Sequence, residues 1–113
     1  MVQLQQIEQW YAQKFADLLA RMDAIPEGDG TLLDNSLVLW CNELDEPWSH
    51  QHNNMPFVLA GGCQGALKTG RRLSYSAQSH NDLLSAIMNL MDIPVEGFGD
   101  PDFCVAPLTG LST

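Results

Sequence analysis

Residues 36–42, SLVLWCN, constrain the fold more than any other stretch of the chain. Seven residues pass without a charge, with valine and tryptophan among them, and a charged residue, Glu43, follows at once. A short continuous apolar run of this kind reads as a strand buried on both faces, as in the centre of a helix-covered sheet. A second run over 56–61, PFVLAG, repeats the pattern and stops at Gly61–Gly62. The stretch 66–75, ALKTGRRLSY, reads as a weaker edge strand or hairpin arm. Its Lys68, Arg71 and Arg72 would keep an open edge from pairing with other chains.

Helices are expected on either side of these strands. Over 3–25, apolar residues fall at Leu4, Ile7, Tyr11, Phe15, Leu18, Met22 and Ile25, in steps of three or four that line one face. Trp10 and Leu19 widen that face, which suggests more than one neighbour. Pro26 ends the segment, and PEGDG is a turn cluster. A second helix is expected over 79–92, where Ser79 and Asp82 fit the capping pattern S-x-x-[DE] ahead of an apolar stripe from Leu83 to Met91. Met88 and Met91 read as core filler, since no Met-x-Met series accompanies them. The tail 93–113 is rich in glycine and proline but carries Phe98, Phe103, Val105, Leu108 and Leu111, so it is expected to pack back on the domain or on a partner. The order of elements points to one α/β domain spanning 1–113, a small mixed sheet with helices packed on it.

Bulk properties narrow the partners. The 113 residues carry a formal net charge of −9, which repels nucleic acid and anionic membrane surfaces. No apolar stretch approaches the roughly 20 residues a membrane helix needs, and no signal peptide is visible at the N-terminus. Cys41, Cys63 and Cys104 form no CxxC and are odd in number, as expected of free thiols in a reducing compartment, so a cytoplasmic location is expected.

The segment after the first strand carries the candidate chemistry. Glu43 stands at the strand's carboxyl end, where ligands tend to bind in open α/β sheets. His50 and His52 follow in a connection of functional length. If that connection is extended, residues i and i+2 point the same way and both imidazoles reach one ion. A carboxylate with two imidazoles suits zinc or another first-row divalent cation, and Asp45 and Glu46 offer further oxygen ligands. His80, in the first turn of the second helix, is a fourth metal-ligand candidate, since a helix N-terminus favours neutral imidazole. The alternative is a solvated polar loop with Glu43 at the strand end. AGGCQGALKTG lacks the spacing of a phosphate loop. No serine sits in G-x-S-x-G, and no catalytic residue is assigned.

Four segments, AIPEGDGTLLDNSLVLWCNEL, SHQHNNMPFVLAGG, LKTGRRLSY and SHNDLLSAIMNLMDIPVEGFGD, taken in order, resemble the C-terminal part of the bacterial domain-of-unknown-function family numbered fifteen fifty-two, grouped with the alkaline-phosphatase and sulfatase superfamily. The likeness runs from about Gln9 to Leu111. It implies a three-layer α/β/α fold with metal ions at the carboxyl ends of strands, and places Glu43, His50, His52 and His80 at positions matching metal-site residues. Members are longer and exported. The nucleophile and the other metal ligands of the superfamily lie in an N-terminal half that these residues do not match. The resemblance therefore implies a C-terminal piece without a complete hydrolase site, non-catalytic by itself. Its uncovered edges would be closed by self-association, most simply as a homodimer, or by a partner supplying the missing half.

Overall fold

A computed structural model describes residues 2–45 and 48–112. In chain order its elements are helix α1 (Val2–Asp23), strands β1 (Pro26–Glu27), β2 (Gly30–Thr31), β3 (Val38–Cys41) and β4 (Phe57–Ala60), and helix α2 (His80–Leu90). Short 3-10 turns lie at Cys63–Gly65 and Pro101–Phe103. The protein is mixed α/β, with two helices and two small two-stranded antiparallel sheets. It forms two compact units, one up to Gly61 and one from Gly62 on.

In the first unit, α1 stops three residues before Pro26. The turn cluster then makes a small hairpin that pairs Pro26 with Thr31 and Glu27 with Gly30. Asp34 locks its end: its carboxylate accepts from the Thr31 N–H at 2.9 Å, and the Asp34 N–H donates to the Thr31 hydroxyl at 3.2 Å. The two apolar runs pair as β3 and β4, from Val38 with Ala60 to Cys41 with Phe57. At Gly61 the chain turns with φ +99°, and a side-chain carbon there would stand 2.2 Å from the Ser36 carbonyl oxygen. Only glycine satisfies both conditions.

The sheet differs from the expected mixed, doubly covered one. β3 and β4 pair with each other alone, antiparallel, and none of their residues is fully buried. The reason is a lack of covering layers within the unit: the Phe15 ring of α1 meets the Trp40 ring of β3 at 5.1 Å between centroids, while Cys41 and Val58 stay exposed.

In the second unit, α2 starts where the capping pattern places it. The Ser79 hydroxyl accepts from the Asn81 N–H at 3.0 Å, and the Asp82 carboxylate accepts from the Ser79 N–H at 3.1 Å, the reciprocal arrangement of a capping box. Cys63, Leu67, Leu83, Ala86 and Leu111 form the buried core. Part of the tail packs back: Leu111 is buried and its carbonyl accepts from the Lys68 N–H at 3.0 Å, while Phe98, Phe103 and Val105 stay exposed.

No strand forms over 66–75. Gly70 turns the chain with φ +73°. Side chains, not a ladder, hold the segment to the tail: the Arg71 guanidinium donates to the Leu111 carbonyl at 2.8 Å, and the Tyr75 hydroxyl to the Thr109 carbonyl at 2.7 Å. The cation expected to guard an edge instead satisfies carbonyls of a chain end.

Candidate functional site

The connection from β3 to β4 carries Glu43, His50 and His52, all exposed. A backbone bond from the Asp45 N–H to the Gln51 carbonyl, 3.0 Å, draws its two arms together. Ser49 donates weakly to the Asp45 carboxylate at 3.4 Å. His50 sits in a turn with φ +53°, in the left-handed region. The premise that 50–52 is extended therefore fails, and with it the argument that the two imidazoles share a direction. A left-handed residue reverses the chain locally, which the period-two rule cannot accommodate.

His52 and Glu43 do meet, through an unexpected atom. The His52 Nδ1 lies 2.9 Å from the Glu43 backbone carbonyl oxygen. A carbonyl only accepts, so Nδ1 carries the proton and, in the neutral ring, Nε2 holds the lone pair. Orienting a histidine by a carbonyl on its far nitrogen is the arrangement that supports metal-binding imidazoles. The Glu43 carboxylate takes no part in that bond. His80 opens α2 in the second unit and is exposed. Glu46, a further candidate oxygen ligand, lies outside the described residues. Among the described residues no three His, Cys, Asp or Glu side chains come together to hold a metal ion. A tetrahedral or octahedral cation needs at least that many fixed ligands, so the residues present do not fit a complete site.

The most buried polar cluster lies at the start of α2, where the sequence predicts a cap at Ser79 and Asp82. Asp82 has no accessible surface. One carboxylate oxygen accepts from the N–H groups of Val105 at 2.8 Å and Ala106 at 3.3 Å, and the other from Ser79. The Asp82 carbonyl accepts from the Leu108 N–H at 2.9 Å. The Ser79 hydroxyl also donates to the Phe103 carbonyl. Burial alone pushes the Asp82 carboxyl up. The N–H bonds from Ser79, Val105 and Ala106, with the Cys104 thiol, outweigh it and hold the carboxyl below its ordinary range. This carboxylate fastens the tail to the helix and faces no open space. The S-x-x-D spacing was a signal for its half of the contacts; nothing in the sequence signalled residues 103–108 as the other half.

Cys63 is also structural. Burial pushes its thiol up, and its Sγ donates to the Leu90 carbonyl at 3.3 Å. A buried thiol kept protonated is a poor nucleophile.

The largest anomaly is on α1. None of its 22 residues is buried. Leu4, Ile7, Tyr11 and Leu18 are 55%, 52%, 53% and 46% exposed, and a shallow groove runs beside Ile7, Trp10 and Tyr11. The half-buried positions are instead Phe15, Leu19 and Met22. No helix among the described residues is long and apolar enough to cross a membrane.

No family model, no curated protein and no solved structure matches the chain.

Proposed function

We propose that this chain is a non-catalytic α/β module of alkaline-phosphatase- and sulfatase-like descent that works by associating with copies of itself. The exposed apolar side of α1 carries the reading. Helices of ordinary length draw most of their stability in water from packing an apolar face, and large contiguous apolar patches on soluble proteins mark interaction surfaces. The buried, saturated state of Asp82 and Cys63 supports a structural rather than a reactive role for the second unit. The descent rests on the four resembling segments. Three free thiols agree with a reducing compartment such as the cytoplasm. Light scattering during size-exclusion chromatography tests the reading. A mass that rises from 12.5 kDa toward twice that value with concentration is expected, and 12.5 kDa at every concentration overturns it.

One observation favours a second reading, a metal-dependent phosphate- or sulfate-ester hydrolase whose site is completed by another subunit. The bond from His52 Nδ1 to the Glu43 carbonyl prepares Nε2 as a ligand on an exposed loop. Titration with Zn²⁺ separates the readings. Stoichiometric binding that His52→Ala abolishes, with chelator-sensitive hydrolysis of an aryl phosphate or sulfate, would favour the hydrolase.

A further inference from the structure

Within the second unit, residues 103–112 are held to residues 68–82 by their backbone. The Phe103 carbonyl accepts from the Ser79 hydroxyl, and the Val105 and Ala106 N–H groups donate to one Asp82 carboxylate oxygen at 2.8 and 3.3 Å. The Leu108 N–H donates to the Asp82 carbonyl at 2.9 Å, and the Thr109 carbonyl accepts from the Tyr75 hydroxyl at 2.7 Å. The Leu111 carbonyl accepts from the Lys68 N–H and from the Arg71 guanidinium, which also reaches the Ser112 carbonyl at 3.3 Å. All of these bonds fall on main-chain atoms of the segment.

The side chains of the segment are used sparingly. Phe103 and Val105 are 66% and 85% exposed, and Ala106 and Thr109 are exposed as well. Leu111 is buried, with Cys104, Pro107 and Leu108 half-buried. Main-chain bonds for affinity and a pocket for a chosen side chain are the means by which domains capture extended peptides. The receiving side suits that ligand. Asp82 has no accessible surface, and a buried carboxylate is costly unless hydrogen-bond donors meet it. Two successive peptide N–H groups answer that need whatever side chains they carry. The connection 92–102 is exposed at every position except Val95, so the segment can lift away without breaking a core along its tether.

We infer that residues 68–82 form a docking site for an extended peptide of another polypeptide, and that residues 103–112 close this site in cis as a built-in competitor. The peptide offers two successive N–H groups to Asp82 and a leucine at the place of Leu111. The inference is independent of self-association, because every group in it lies in the second unit and α1 takes no part. A short tether gives the cis segment an effective concentration on the order of millimolar. A peptide in trans therefore enters only where it binds more tightly than the tail or where the tail is loosened.

Fluorescence polarisation with a labelled peptide of residues 101–112 tests the inference on the full chain. Val105→Pro combined with Leu111→Ser removes an N–H and the buried side chain from the tail and alters nothing in residues 68–82. This open variant is expected to bind the peptide about a hundredfold more tightly than wild type, whose tail competes. Methylating the peptide nitrogen of Val105 is expected to weaken binding at least about tenfold, since a hydrogen bond to a buried carboxylate is lost. A Phe103→Ala peptide is expected to bind within a few-fold of the parent. Equal, weak binding to wild type and open variant, or indifference to the N-methyl group, overturns the inference. Should the open variant lose its fold, added peptide is expected to restore slow amide hydrogen exchange in α2, and failure to restore it overturns the inference as well. An equimolar complex of wild type with the open variant would overturn the foreign peptide and assign the site to the tail of a second copy.

Discussion

The two helices invert the usual relation between length and burial. α1 has 22 residues and buries none; α2 has 11 and buries Asp82, Leu83, Ser85 and Ala86. Both are amphipathic. They differ in what the rest of the chain brings to them. α2 receives a capping serine, a tail hydrogen-bonded to its first turn and the buried Leu111. α1 receives one ring contact, from Trp40, at its middle. An apolar stripe therefore becomes core only where another segment returns to cover it.

Substitutions at α2 should cost most. Asp82→Ala strips the acceptor from the N–H groups of Ser79, Val105 and Ala106 and is expected to destabilise the second unit by about 4 kcal/mol, read by chemical denaturation. A loss below about 1 kcal/mol would show that the tail is held by other contacts. Leu83→Ala, in the buried core beside it, is expected to cost about 3 kcal/mol through the lost apolar burial and the cavity left behind.

Acid should act on the same helix. The Asp82 carboxyl is held below its ordinary value in the fold, so the unfolded chain takes up the proton first as pH falls. Its contribution is complete above an unfolded value of about 3.9 and is lost as pH drops through the lower folded value. Stability of the second unit measured from pH 6 to pH 2 should fall in the acid limb. Asp82→Asn should flatten that limb; an unchanged limb would place the acid sensitivity at other carboxylates.

The smallest effect is expected at α1. Ile7→Ala should change thermal stability by no more than about 0.5 kcal/mol, because Ile7 is 52% exposed and belongs to no buried core. A loss near 2 kcal/mol would mean that Ile7 is core after all and would close the gap between the helices.

Much of the candidate loop was not legible in the sequence. Glu43 at a strand end and two histidines two residues apart suggested a shared ligand direction. The left-handed turn at His50 and the use of the Glu43 carbonyl rather than its carboxylate depend on backbone torsions that neither residue type dictates. The capping box was legible because its donors and acceptors lie within four consecutive residues. The strand over 66–75 was misread because a run of β-compatible residues needs a partner strand, and the structure gives Arg71 chain-end carbonyls instead.

The sequence by itself determined the local events: the end of α1 ahead of Pro26, the turn at PEGDG, the two apolar runs as strands, and the cap at Ser79. These follow from torsional limits and hydrogen bonds between near neighbours, which act before any fold exists. Only the tertiary structure decided that the two apolar runs pair with each other, that Asp82 binds a segment more than twenty residues away, and that Leu4, Ile7, Tyr11 and Leu18 of α1 stay exposed. Burial depends on which distant segments return, and the chain records that only in the sum of all its contacts.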